Sequence, residues 1–214
     1  MQEVAPLTEA YLRNERCSHK LHLEFTLKIA KPLPKRTKIL VVGVCEDDLD
    51  IYLGQWFTDV IGMDKRGCAE KGRPPVLMDA RRMAFADNTF DLIICLGVLA
   101  HANFEIYGQS IKEKKGQIEL LNEMYRTLKS GGKLILEVPL LLKRPDSRWI
   151  TPNEMEEWIH DFREVEREIW KLQMKSHFPF MVEKITKIEE MEKVGALEIL
   201  DVLLLLKKEE VVKG

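Results

Sequence analysis

The stretch Ile39-Leu-Val-Val-Gly43 constrains this chain more than any other. It is apolar at successive positions, and a strand that shows no polar side must be covered on both faces. Such strands belong to parallel sheets sandwiched between helices, so the stretch predicts a doubly wound α/β architecture. Later segments repeat the theme. After a helix over Asp48–Phe57, Asp59-Val-Ile-Gly-Met63 reads as a second strand, Val76-Leu-Met78 as a short third and Phe90–Leu96 as a fourth. Within Gln117–Lys129, Ile118, Leu121, Met124 and Leu128 form one helical stripe, which Ser130-Gly131-Gly132 ends. Lys133–Val138 is a fifth strand, stopped by Pro139.

Farther on, Thr151-Pro-Asn-Glu154 is a capping box with proline at the first helical position. The helix it opens is expected to carry Met155, Trp158, Ile159, Phe162, Val165 and Ile169 on one face. Phe180–Ile188 and Leu197–Leu206 complete the pattern as two long strands forming an antiparallel edge. Upstream of the sheet, Leu21, Leu23, Phe25, Leu27 and Ile29 alternate with His22, Glu24, Thr26 and Lys28, a period of two that predicts a strand with one wet face. A lone strand cannot bury five apolar side chains within itself. They must meet this chain's own sheet or helices, or a second copy in a two-fold dimer. Pro32 and Pro34 separate this strand from the first core strand. The expected organisation is therefore an N-terminal extension with a strand over residues 1–37 and an α/β domain over residues 38–214.

Charge bears on partners. Thirty-three basic against 35 acidic residues give a net charge of −2, so there is no bulk attraction to nucleic acid or to an anionic membrane. The longest apolar runs, such as Val202–Leu206, are too short to span a bilayer. The four cysteines, Cys17, Cys45, Cys68 and Cys95, lie far apart without a CxxC pair, and no signal peptide opens the sequence. A reduced, cytoplasmic setting is expected, with Cys45 and Cys95 as small buried residues. No metal is expected either, since on a strand His19 and His22 would point to opposite faces.

In open parallel sheets the ligand sits beyond the carboxyl ends of the strands. Gly43, Asp64, Asp79 and Leu96 occupy those ends. Asp64 follows its strand directly, where a carboxylate can accept hydrogen bonds from both hydroxyls of a ribose. Asp79-Ala80 follows the third strand, where a carboxylate and a backbone amide can grip an adenine edge. A dinucleotide fits poorly. Glu46, Asp47 and Asp48 would repel a pyrophosphate at the first loop, and a lone Gly43 fails the glycine fingerprint.

Three blocks carry a resemblance: Val60-Ile-Gly-Met-Asp64, the run from Asp79 to His101, and Glu123-Met-Tyr-Arg-Thr-Leu-Lys-Ser-Gly-Gly-Lys-Leu-Ile-Leu-Glu-Val-Pro139. In order and spacing the chain resembles class I S-adenosylmethionine-dependent methyltransferases from Lys38 to Leu206. The resemblance implies a mostly parallel seven-stranded sheet with an antiparallel last strand, and S-adenosylmethionine as cofactor. It also implies that Asp64 binds the ribose hydroxyls, Asp79 the adenine amino group and the Ala80 amide the ring. Cys95, Leu96 and Gly97 would then line the methionine arm, beside Gly43 of the first loop.

The first loop departs from the family pattern. In Val41-Val-Gly-Val-Cys-Glu-Asp-Asp48 only Gly43 remains of the glycines, Val41 takes the acidic place, and Cys45 and Asp47 take glycine places. Side chains there narrow the space glycine leaves for a cofactor, although Glu46, Asp47 and Asp48 offer carboxylates to a cationic amino group. Two readings follow. One is methyl transfer by in-line displacement, which rests on proximity rather than a catalytic triad, with His101 as the candidate base. The other is a methyltransferase-like scaffold that has lost cofactor affinity. No Asn/Asp-Pro-Pro-Tyr stretch follows the fourth strand. The acceptor is thus expected to be a small molecule or a protein side chain, with nucleic acid less favoured.

Overall fold

The computed structural model describes residues 17–45, 48–67, 75–102, 115–140, 150–175, 178–185 and 199–209. In chain order the elements are α1 (Cys17–Ala30), β1 (Lys38–Val42), α2 (Leu49–Leu53), β2 (Asp59–Asp64), β3 (Val76–Leu77), β4 (Phe90–Cys95), a 3-10 turn (Leu99–His101), α3 (Lys115–Thr127), β5 (Leu128–Leu140), α4 (Pro152–Trp158), β6 (Phe162–Lys175), β7 (Phe178–Ile185) and β8 (Ile199–Lys208).

The strands form one sheet in the order β3-β2-β1-β4-β5-β8-β6-β7. β1 to β5 run parallel, and β8 lies antiparallel between β5 and β6. The doubly wound sheet with its antiparallel last strand is thus present, and it carries eight strands where seven were expected. The additional strand is β6, which inserts between the two segments expected to pair as the terminal edge.

β6 corrects the reading of Phe162–Ile169 as helix. The capping box forms as expected, with the Thr151 side chain accepting from Glu154 N and Glu154 accepting from Thr151 N, yet the helix stops at Trp158. Beyond it, pairing with β8 from Phe162↔Lys208 to Leu172↔Ile199 supplies a ladder that helix propensity cannot match. A register shift between Glu164 and Glu166 leaves Val165 half exposed, while Phe162 and Ile169 are buried. The helical spacing of those three residues was coincidental.

The N-terminal segment is a second correction. Leu21–Ile29 is not a strand: it lies inside helix α1. Leu21, Phe25 and Ile29 recur every four residues and His22, Thr26 and Ala30 form the adjacent row, all buried, while Glu24 and Lys28 face water. A two-residue alternation and a wide helical face therefore share the same residues here. The apolar side chains of α1 bury against Ile39, Val41, Leu92, Ile94 and Ile135 within the same chain. Lys28 ion-pairs with Glu166 and Glu168 of β6, fixing the helix across the sheet.

On the opposite face α3 packs through Leu120, Leu121 and Met124 against Leu40, Ile93, Leu134 and Leu136. Asp91 seats β4: its carboxylate accepts from Lys38 N at 2.9 Å and Lys129 Nζ at 2.7 Å. Among the described residues no helix is long and apolar enough to cross a membrane.

Candidate functional site

The strand order reverses between β1 and β4, and their carboxyl ends, with that of β2, lie side by side. Gly43 leaves β1 with φ +86° and donates its N–H to Met63 O at 2.8 Å, so the first loop leans toward β2. Glycine is required here for two reasons. Positive φ is costly for other residues, and a Cβ would lie 2.2 Å from Val98 Cγ2.

Asp64 ends β2 and is buried. Its Oδ2 accepts from Cys45 N at 3.0 Å and its Oδ1 from Arg66 N at 2.9 Å, with Arg66 Nε at 3.5 Å. The carboxylate therefore ties the first loop to the turn after β2. Two close donors leave lone pairs on an ionised carboxyl group, which accepts about four hydrogen bonds.

Cys45 is disulfide-bonded rather than a small buried thiol, and its Sγ lies 3.3 Å from Arg66 O. Glu46 and Asp47, named above as loop carboxylates, lie outside the described residues.

Asp79 follows β3 and is held by Arg81. The guanidinium Nη2 donates to Oδ2 at 2.6 Å and Nε to Oδ1 at 3.0 Å, while Arg81 N also donates to Oδ1 at 3.0 Å. The Arg81 hydrogen bonds keep the Asp79 carboxyl below the usual range despite its partial burial. Ala80 beside it is half-buried against the core.

Cys95 and Leu96 close β4 and are buried. Burial, reinforced by the nearby Glu137 charge, pushes the Cys95 thiol far up, so it stays protonated and unreactive. Gly97 follows with φ +69°, and a Cβ built there would meet nothing within 4 Å among the described residues, so this exposed turn borders open space there. Gly97 N donates to Glu137 Oε2 at 2.8 Å. His101 sits exposed on the 3-10 turn beyond, which the fully buried Gln117 anchors through Nε2 to Leu99 O at 3.2 Å.

The structure thus brings Gly43, Asp64, Cys95, Leu96 and Gly97 to one edge of the sheet, with Asp79 and Ala80 on the adjoining segment after β3.

Sequence reasoning missed three supporting residues. Glu137 was detectable as a lone acid in an otherwise apolar strand. Gln117 carried no signal apart from its helix. Arg126 of α3 holds the segment after Asp79: Nη2 donates to Met83 O and Nη1 to Phe85 O, both at 2.8 Å, and Nη1 reaches Asp87 Oδ1 at 2.6 Å. Its Nε and Nη2 also grip Glu123 at 2.8 Å, whose Oε2 accepts from Met83 N at 2.6 Å. Arg126 therefore holds the Glu123 carboxyl below its ordinary range.

The profile of the methyltransferase domain family matches residues 40–136, the segment from β1 through most of β5 that bears these groups. Over that segment the chain is similar to the methyltransferase domain family. Solved methyltransferase-like structures share the fold at low identity. A SAM-dependent methyltransferase from Archaeoglobus fulgidus is 16% identical, covering 87% of this chain and 93% of that one, with a TM-score of 0.57. The N-methyltransferase NodS from Bradyrhizobium japonicum, in complex with S-adenosyl-L-homocysteine, is 13% identical over 92% and 90% of the two chains, with a TM-score of 0.59. The YcgJ protein from Bacillus subtilis reaches a TM-score of 0.62 at 13% identity, covering 90% of this chain and all of that one. In sequence, an uncharacterised protein of Methanocaldococcus jannaschii is 41% identical over 56 residues, which is 26% of this chain and 19% of that protein's length.

Proposed function

We propose that this protein transfers a methyl group from S-adenosylmethionine to a small-molecule or protein acceptor. The observation that carries the reading is the buried Asp64 carboxylate at the end of β2, bonded to the first loop and retaining acceptor capacity for a ribose diol. The residues present fit the cofactor in further ways. Gly97 borders open space where a methionine arm can run, directly after the buried Cys95 and Leu96 that close β4. Asp79 and Ala80 lie after β3 where the adenine belongs. Arg81 occupies both oxygens of Asp79, so its guanidinium must share or yield one of them to the adenine amino group.

When bound, the cofactor supplies an electrophilic methyl on a sulfonium, which an acceptor displaces in line. The protein's part is to fix that geometry. Val98, seated on Gly43, holds the β1 and β4 turns against one another, and Gln117 holds the turn after them. Acceptors that must lose a proton meet His101 on that turn as the candidate base. The near-neutral charge of −2 favours a small molecule or protein side chain over nucleic acid.

Calorimetry with S-adenosylmethionine and S-adenosylhomocysteine tests the reading. Both are expected to bind, and Asp64→Ala is expected to weaken each by about 1.5–3 kcal/mol, the loss of hydrogen bonds to a charged group. No binding at millimolar cofactor, with unaltered melting, refutes it in favour of the non-catalytic scaffold.

A further inference from the structure

We propose that Glu137 supplies the carboxylate that holds the cationic methionine arm of the cofactor, taking from β5 the charge that β1, with Val41, does not offer. The inference rests on the reading of this site as an S-adenosylmethionine site, and it names a residue for which that reading has no role.

Register places Glu137 at the edge of the site. Val42 pairs with Cys95 and Cys95 with Leu136, so the next row across the three strands is Gly43, Leu96 and Glu137. Val41, Ile94, Ile135 and Leu96 share one buried cluster on one face of the sheet. Strand alternation puts Glu137 on that same face, one step farther toward the carboxyl ends. A negative group here stands two strands from Val41, over the same layer of core.

The side chain reaches forward from that row. Glu137 is 7% exposed, and its Oε2 accepts from Gly97 N at 2.8 Å. Gly97 is the residue whose Cα borders open space, so the carboxylate sits directly behind the turn that would line the methionine arm. A charge held in so apolar a strand acts over a longer distance than one in water, because little solvent screens it. Its reach is already visible on Cys95, whose thiol it helps to push up.

A carboxylate in this position favours a ligand that is positive at the methionine end. S-adenosylmethionine carries an ammonium, a carboxylate and a sulfonium there, S-adenosylhomocysteine the ammonium and carboxylate without the sulfonium, and 5′-methylthioadenosine has no such arm. A residue that merely shaped the Gly97 turn would treat the two ligands that carry the arm alike. One that supplies charge separates them.

The experiment is calorimetry of the full chain with each of the three ligands, for the wild type and Glu137→Gln. The amide keeps an oxygen for Gly97 N and removes the charge. Expected is a loss of about tenfold in affinity for S-adenosylmethionine, a smaller loss for S-adenosylhomocysteine, and none for 5′-methylthioadenosine. An equal loss for S-adenosylmethionine and S-adenosylhomocysteine overturns the proposal, since Glu137 then acts only through the shape of the turn; no loss for any overturns it too. Glu137→Asp keeps the charge on a shorter stem and guards against a misfolded amide variant. It is expected to retain the preference for S-adenosylmethionine over 5′-methylthioadenosine, and loss of that preference counts against the proposal. Failure of the wild type to bind any of the three refutes the site reading itself, a result distinct from a silent Glu137→Gln.

Discussion

Arg126→Ala removes the clamp on the segment between β3 and β4, and the structure sets the size of the effect. The guanidinium gives hydrogen bonds to two backbone carbonyls, Met83 O and Phe85 O, and to the Glu123 and Asp87 carboxylates. Hydrogen bonds with a charged partner contribute about 1.5–3 kcal/mol each when shielded. Arg126 is 32% exposed and Asp87 68% exposed, so water replaces much of what the ion pairs give. The Glu123 carboxylate also keeps its bond from Met83 N. The two carbonyls dominate the loss, and with solvent access the expected destabilisation is about 2 kcal/mol. For a chain of this size that is roughly a 4–8 °C fall in melting temperature. Circular dichroism melts of wild type and variant measure it. The pH dependence supplies a second reading. Glu123 is held below its ordinary value, so its contribution is present above the unfolded carboxyl pKa and is lost as pH falls through the lower folded value. The gap between wild type and Arg126→Ala should therefore narrow in that acidic window, the two carbonyl bonds remaining. A melting temperature unaltered at neutral pH, or a gap that widens on acidification, refutes the account of Arg126 as the clamp of this segment.

Gly43→Ala and Gly97→Ala share a positive-φ penalty of about 1–3 kcal/mol, but only the first forces a side chain into Val98. Chemical denaturation should show Gly43→Ala as the more damaging, and equal losses would refute the close approach of the β1 and β4 turns. Phe25→Ala should cost about 3–5 kcal/mol, since Phe25 of α1 is buried against the β1 and β4 face. A denaturation midpoint unaltered by that change would show that α1 does not cover the sheet.

The centre of the parallel half was legible because its strands are buried on both faces and announce themselves as apolar runs, as Ile39–Val42 and Leu92–Cys95 do. Gly43, Asp64 and Asp79 were legible for a related reason. They are polar or flexible residues placed where such runs stop, and an open parallel sheet puts its ligand there. The supporting residues were less visible. Arg126 lies 38–43 residues from the groups it holds on the Met83–Asn88 segment and Glu137 lies 40 from Gly97, separations that no local pattern encodes.

By itself the sequence determined the α/β class, the central parallel strands and the capping box at Thr151, all of which rest on contacts within a few residues or on two-sided burial. Only the tertiary structure decided two segments whose side-chain pattern suits either state. Leu21–Ile29 alternates like a strand, yet it becomes helix because the bare face of β1, β4 and β5 needs a broad apolar cover. Phe162–Ile169 carries helical spacing, yet it becomes strand because β8 would otherwise present an unpaired edge beside it. In each the local preference is a fraction of a kcal/mol per residue. The burial of several large side chains, or the completion of a hydrogen-bonded ladder, outweighs it.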